Sequence, residues 1–274
     1  MKADIQGEKL WHNELYSRNQ ASLEIPRSVL DRYLRPSRKA LFKLERLFEI
    51  VGDVRGKNVL IYGCGDGFLP ALFAMKGAKV WGIDISDVAI ERQIHRAAKL
   101  NFNGNLRFSV GSVEELPYES GLFDLVLGLY ILHHLPDALA SACAELRRVL
   151  KPSGTAIFIE PVARNRAFSV IRRFFPETDI SPRERMLSDA DFTSFYDAFD
   201  VREENFDFLG NLNKYVLHDY ETVGPLRRSV AWLLVKADSV IFKVKGSRVL
   251  ARYSMLIMDS PKQTTEAKVG PRVQ

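Results

Sequence analysis

From residue 58 onward, short apolar runs alternate with segments whose apolar positions recur at helical spacing. The runs are 58–62, 79–83, 106–110, 124–129 and 155–160. Most are continuously apolar, as expected of strands covered on both faces. Between them, 67–76, 87–100 and 137–150 read as helices. In the last, Leu139, Ala142, Cys143, Leu146, Val149 and Leu150 form one stripe, and Pro136 and Asp137 suit its first turn. Lys151-Pro152-Ser153-Gly154 reads as a break before the next strand. The strand–helix rhythm predicts a doubly wound parallel sheet. Ahead of it, 8–20 and 27–35 read as short helices. A firmer helix spans 38–51, with Leu41, Leu44, Phe48 and Val51 on one face and Gly52 to end it. After Glu160 the rhythm loosens. Helices are expected at 164–175, at 188–199 with Ser188 as cap, and at 225–245. Strands are expected at 201–208 and 252–258, and the chain is polar from Pro261.

With 274 residues, 46% of them apolar, there is room for one large α/β domain and a small cap. Two cysteines, Cys64 and Cys143, rule out a disulfide scaffold and suit a reducing, cytoplasmic setting. Residues 1–8 hold no apolar signal core, and no apolar run approaches the roughly 18–20 residues that span a bilayer. The net charge of +5 is unevenly spread. Residues 1–57 carry 12 basic and 8 acidic groups, 58–222 carry 17 and 23, and 223–274 carry 10 and 3. No dense basic block interleaved with aromatics supports nucleic-acid binding. The basic end suits transient contact with an anionic membrane surface, or simply a solvated face.

The sharpest chemical feature is Tyr62-Gly63-Cys64-Gly65-Asp66-Gly67, between a strand and a helix. Glycine there lets a ligand approach the backbone. The next strand ends at Asp84, whose carboxylate suits the two ribose hydroxyls of an adenosine. A dinucleotide loop wants glycine where Phe68 stands, and no lysine follows until Lys76. An adenosine without phosphates fits better.

Several segments together carry a resemblance. They are Val59-Leu-Ile-Tyr-Gly-Cys-Gly-Asp-Gly67, Val80-Trp-Gly-Ile-Asp-Ile-Ser86, Gly111-Ser-Val-Glu-Glu-Leu-Pro-Tyr118, Phe123-Asp-Leu-Val126, Leu132-His-His-Leu-Pro-Asp137 and Leu150-Lys-Pro-Ser-Gly154. In order and spacing they resemble the class I S-adenosylmethionine-dependent methyltransferases that act on small molecules. The resemblance covers about residues 56–160. It implies an α/β Rossmann-like, doubly wound, mostly parallel seven-stranded sheet in three layers. It further implies an N-terminal helical cap (1–55), a cofactor domain (56–260) with acceptor-side helical insertions at about 162–200 and 210–248, and a tail (261–274). The implied cofactor is S-adenosyl-L-methionine, held by Tyr62, Gly63, Cys64, Gly65, Gly67, Asp84, Ile85, Ser112, Val113 and Leu129. Two positions depart from the family: Ile61 stands where an acid is usual, and Ser112 where an aspartate usually meets the adenine.

Methyl transfer needs alignment and, for many acceptors, a base; no metal is obligatory, and no metal-ligand spacing is present. His133 and His134 follow the fourth strand, and Glu160 ends the fifth. His12, with Trp11 and Tyr16, sits in the segment expected to fold over the cofactor. His133, Glu160 and His12 are the candidate catalytic groups. Each also has a structural reading: packing, helix capping and a surface helix. Tyr62 and Tyr130 either line the pocket or fill the core. Residues 164–175 combine Arg164, Arg166, Arg172 and Arg173 with Phe168, Phe174 and Phe175. With the apolar stretch 230–242 they suggest a lipophilic or anionic small-molecule acceptor, in a monomer or homodimer. A cofactor-binding regulatory subunit without activity is the alternative that Ile61 and Ser112 support. A nicotinamide oxidoreductase is the third, and Phe68 argues against it.

Overall fold

The computed structural model describes residues 5–19, 22–35, 42–102, 104–165, 180–213 and 225–259. Five strands form on the apolar runs: β1 (Asn58–Tyr62), β2 (Lys79–Asp84), β3 (Leu106–Val110), β4 (Phe123–Leu129) and β5 (Leu150–Pro161). With β6 (Asp200–Phe206) and β7 (Tyr253–Asp259) they make one seven-stranded sheet, ordered β3-β2-β1-β4-β5-β7-β6. The first five are mutually parallel, and β7 runs antiparallel to both β5 and β6. The sheet is therefore mixed at one side only, as the sequence implied.

The helices are α1 (Ile5–Arg18), α2 (Arg27–Tyr33), α3 (Lys43–Val51), α4 (Leu69–Met75), α5 (Asp87–Lys99), α6 (Leu139–Val149), α7 (Thr193–Ala198) and α8 (Pro225–Ile241). Neighbouring residues of β1 serve opposite layers. Leu60 and Tyr62 join the core under α6 and α7, with Leu146 and Phe195, whereas Val59 and Ile61 join the core under α3 and α4, with Leu47 and Phe73. This is the two-sided burial that a continuously apolar strand requires.

One local expectation is extended and one changes. In α3, Leu44, Phe48 and Val51 pack on one core as expected, and Leu47 joins them fully buried, with the Phe48 ring 5.1 Å from each of Tyr33 and Phe73. Lys151-Pro152-Ser153-Gly154 does not break the chain before β5; it lies inside that strand as an irregularity. Phe123 pairs with Leu150, and the next pair is Leu125 with Thr155. Lys151 Nζ bonds Asp124 Oδ1 at 2.7 Å across the gap, a side-chain link where the ladder is interrupted. The expected helix at 164–175 lies outside the described residues beyond Asn165, as does the tail from Pro261.

The carboxyl ends of the parallel strands place Gly63, Asp84, Tyr130 and Glu160 along one edge. In open α/β sheets ligands bind at this edge, near the point where strand order reverses. Helix α1 is fastened over it. Ser86 Oγ donates to Asn13 Oδ1 at 2.6 Å, Asn13 Nδ2 donates to Asp87 at 2.5 Å, and Lys9 pairs with Asp87 at 3.1 Å.

Gly82, mid-strand in β2, sits opposite Phe108 of β3. A Cβ there would lie 2.6 Å from Phe108 Cδ1 and 3.1 Å from Cys64 Sγ. Gly82→Ala is expected to cost about 1–3 kcal/mol of stability by overpacking, read from the urea midpoint. An unchanged midpoint would mean that the ring moves freely aside.

Candidate active site

The turn leaving β1 needs glycine at two positions. Gly63 has φ +67°, and a Cβ on it would lie 2.6 Å from Ile131 Cδ1. Gly65 has φ +49°, with Tyr16 Oη 2.8 Å from where its Cβ would be. Gly67 has ordinary backbone and open space, so its contribution is its carbonyl. That oxygen accepts from Gln93 Nε2 at 2.8 Å and Arg96 Nη1 at 2.9 Å, and Gln93 also reaches the Gly65 carbonyl at 2.9 Å. The Arg96 guanidinium lies 4.8 Å over the Phe68 ring. Gln93 and Arg96 were not among the expected site residues. Their signal was two polar side chains on the inward, otherwise apolar face of an amphipathic helix, beside Ala89 and Ile90.

Asp84 ends β2 at the same level. Its Oδ2 accepts from Gly65 N at 2.8 Å and its Oδ1 from Ser86 N at 2.9 Å. Burial pushes its carboxyl up, and the two amides pull it back only in part. Ser86 also caps α5 by accepting from Ala89 N.

A cavity of about 590 Å³ opens against this turn. Gly63, Cys64, Gly65 and Gly67 line it from the loop, Asp84 and Ile85 from β2, Ser112 and Val113 from beyond β3, and Leu129 from β4. His12 reaches it from α1. Ten of the thirteen expected site residues thus converge on one cavity. Tyr62, His133 and Glu160 do not line it. Tyr62 is a core pillar whose hydroxyl donates to the Val113 carbonyl at 2.8 Å. Glu160, fully buried, accepts from the amides of Ile131 at 2.9 Å and Leu132 at 2.8 Å and bonds His133 Nδ1 at 2.9 Å. It ties down the turn after β4. Cys64 is buried against Gly82, and burial pushes its thiol well up, away from nucleophile behaviour. Arg164, expected in the acceptor wall, is a strap on the sheet instead. It binds Asp189 at 2.6 Å, Ser254 at 2.8 Å, and Glu203.

Sequence reasoning also missed Glu8. It is 1% exposed, on α1, one turn before His12. Its Oε1 meets His12 Nε2 at 3.2 Å, His134 Nδ1 at 2.9 Å and Ser181 Oγ at 2.7 Å, and its Oε2 accepts from Arg183 N at 3.1 Å. Burial pushes the carboxyl up, but hydrogen bonds from His12, His134 and Ser181 outweigh it and hold the group well below the usual carboxylate range. An ionised carboxylate only accepts, so His12 Nε2 and His134 Nδ1 carry the protons in these bonds. His12 Nδ1 is buried and has no partner. Glu8, His12 and His134 all line the cavity. Their ligand-type atoms lie within 4.8 Å of one another, a grouping that chain spacing conceals. The hydrogen bonds already satisfy Glu8 without an ion.

Residues 60–158 match the family described as "Methyltransferase domain". This match marks residues 60–158 as a methyltransferase domain. The domain is 35% identical over 119 residues to a "Ubiquinone biosynthesis O-methyltransferase" of Bordetella avium (strain 197N), a match covering 42% of this chain and 47% of that one. The chain thus spans about half the length of the curated relatives it matches. Its fold resembles geranyl diphosphate C-methyltransferase from Streptomyces coelicolor A3(2), with TM-score 0.58 and 17% identity over 95% of this chain and 100% of that one. It also resembles the PH0226 protein of Pyrococcus horikoshii OT3, with TM-score 0.57 and 21% identity over 91% and 99%. In methyltransferase terms, the cavity lies where strand order reverses, and α1 closes over it.

Proposed function

We propose that this methyltransferase uses S-adenosylmethionine to methylate a small, largely apolar acceptor. The carrying observation is Asp84, a buried carboxylate on the cavity wall, held between the Gly65 and Ser86 amides. The residues fit a phosphate-free nucleoside. Arg92 and Arg96, near the loop, are engaged: Arg92 with Asp66 at 2.9 Å, and Arg96 with the Gly67 and Ser22 carbonyls. Pro70 removes an amide from the start of α4. The wall carries Glu8, Asp66, Asp84, Glu114 and Glu184 against a single arginine, Arg183, which favours a ligand with positive charge. When bound, the cofactor supplies an activated methyl group on a sulfonium.

The remaining steps belong to the chain. Asp84 grips the ribose hydroxyls. The carbonyls around Gly63 and Leu129 face the ammonium, and Ser112 and Val113 flank the adenine. Helix α1 excludes water. His12 accepts the acceptor's proton through Nδ1. The imidazolium so formed is stabilised by the Glu8 carboxylate on its other nitrogen, as in other carboxylate-oriented histidine bases. Trp11, Leu15, Tyr33, Tyr130 and Leu135 give the acceptor an apolar wall. The ubiquinone-biosynthesis names of the relatives agree with an oxygen acceptor on a lipophilic molecule. The division into a 1–55 cap, a 56–260 cofactor domain and acceptor-side insertions goes with this reading.

Incubating the chain with methyl-labelled S-adenosylmethionine and a bacterial lipid and metabolite extract tests the proposal. Label is expected in an apolar component. Cofactor binding without transfer to any fraction would favour the regulatory-subunit reading.

Glu160 separates structure from catalysis. Glu160→Gln leaves buried amides with a weaker acceptor, and is expected to lower stability by about 1–3 kcal/mol while methyl transfer by the folded fraction persists. Abolished transfer at unchanged stability would make Glu160 the base.

A further inference from the structure

Helix α8 is apolar on two faces, and only one of them is covered. Ala231, Val235 and Asp238 point inward. Asp238 is buried, and its carboxylate accepts from Leu209 N at 2.8 Å and Gly210 N at 2.9 Å, pinning the helix to the body. The opposite side carries Leu226, Val230, Leu233, Ala237 and Val240, spaced alternately by four and three residues. Leu226 is 77% exposed, Leu233 58% and Val240 58%, and Val244 just beyond the helix is 65% exposed. Trp232 is half-exposed beside this stripe. A continuous exposed apolar stripe of this length on a surface helix marks an interaction face.

Charge decides between possible coverings. Residues 225–252 hold seven basic residues and one acid, the buried Asp238. Arg227, Lys236, Lys243 and Lys245 are exposed around the stripe. A second copy would bring the same positive charges face to face, which opposes self-association. An anionic bilayer surface satisfies both features: apolar side chains enter the acyl boundary and the bases meet headgroup phosphates. No helix of the described residues is long and apolar enough to cross a membrane, so contact through this helix would be in the surface plane. Strand β6 ends at Phe206 and β7 begins at Tyr253, both on the edge that carries the cavity, so the insertion that holds α8 leaves and rejoins the sheet there. Tyr253 touches Tyr130 of the cavity wall, with ring centroids 5.6 Å apart.

We infer that α8 docks the protein on anionic membrane surfaces, with its Leu226–Leu233–Val240 stripe in the lipid and its lysines and arginines on the headgroups. The interaction is independent of methyl transfer.

Co-sedimentation with vesicles tests it, using phosphatidylcholine alone and phosphatidylcholine doped with phosphatidylglycerol. The chain is expected to partition at least about tenfold more strongly onto the anionic vesicles, and to lose that preference at high salt. The triple variant Leu226→Glu, Leu233→Glu, Val240→Glu is expected to stay in the supernatant with an unchanged melting midpoint. Lys236→Glu with Lys243→Glu is expected to lose only the anionic preference. Failure of the wild type to bind anionic vesicles overturns the inference. So does equal binding to neutral ones, or a wild-type dimer that the triple variant converts to monomer. A chain that binds anionic vesicles yet ignores S-adenosylhomocysteine upholds this inference and sinks the proposed function, so the two fail separately.

Discussion

Asp84→Ala is expected to weaken S-adenosylhomocysteine binding at least about 100-fold in calorimetry. Two charge-assisted hydrogen bonds to the ribose are each worth about 1.5–3 kcal/mol, and about 1.4 kcal/mol is one decade. The same substitution strips the acceptor from the Gly65 and Ser86 amides, so a lower melting midpoint is also expected. Asp84→Asn separates the two effects, because it keeps an acceptor oxygen but loses the charge; its affinity should fall between wild type and alanine. Acidity gives an independent reading. Burial raises the Asp84 pKa, and the ribose prefers the ionised form. Affinity should therefore fall as the pH drops through that raised value, earlier than for an ordinary aspartate. Asp84→Asn should lose this dependence. Wild-type affinity in Asp84→Ala would remove the nucleoside from this cavity.

His12→Asn is expected to lower kcat about 10²–10⁴-fold with cofactor affinity within a few-fold, the range for loss of a positioned base. Glu8→Gln should lower kcat less, since His12 remains but loses the negative partner of its imidazolium. Glu8 also carries a stability signature. Its carboxyl is held below the ordinary value of 4.5 in the folded chain. The stability it contributes is complete above that value and fades as the pH falls toward the depressed one. Wild type and Glu8→Gln should thus differ most in melting midpoint near neutrality, and converge in strong acid. A gap that widens on acidification would mean that Glu8 is protonated in the folded protein. Full activity in His12→Asn would end its role as base.

The ladder of strands was readable because apolar runs of about five residues leave few alternatives once they are separated by helical stripes. Gly63, Gly65 and Asp84 were readable because each sits at a strand end, where local backbone demands and ligand chemistry coincide. The adjacent histidines were not separable on sequence. A short helical turn after β4 sends His133 inward to Glu160 and His134 toward α1. Glu160 read as either a catalytic carboxylate or a helix cap; in the fold it accepts from the amides of that turn. Glu8 showed only its helical pairing with His12, four residues on; its other partners, His134 and Ser181, lie 126 and 173 residues away.

The sequence alone determined the doubly wound sheet, the glycine turn and the acid opposite it. These depend on periodicity and on backbone geometry within a few residues. Tertiary structure decided which histidine faces the cavity, that Glu8 joins it, and that the second apolar face of α8 stays open. Those outcomes depend on which distant surfaces meet when α1 folds over the sheet edge and Asp238 ties α8 to Leu209 and Gly210. A side chain's burial and partners follow from that meeting, and hydropathy along the chain does not encode it.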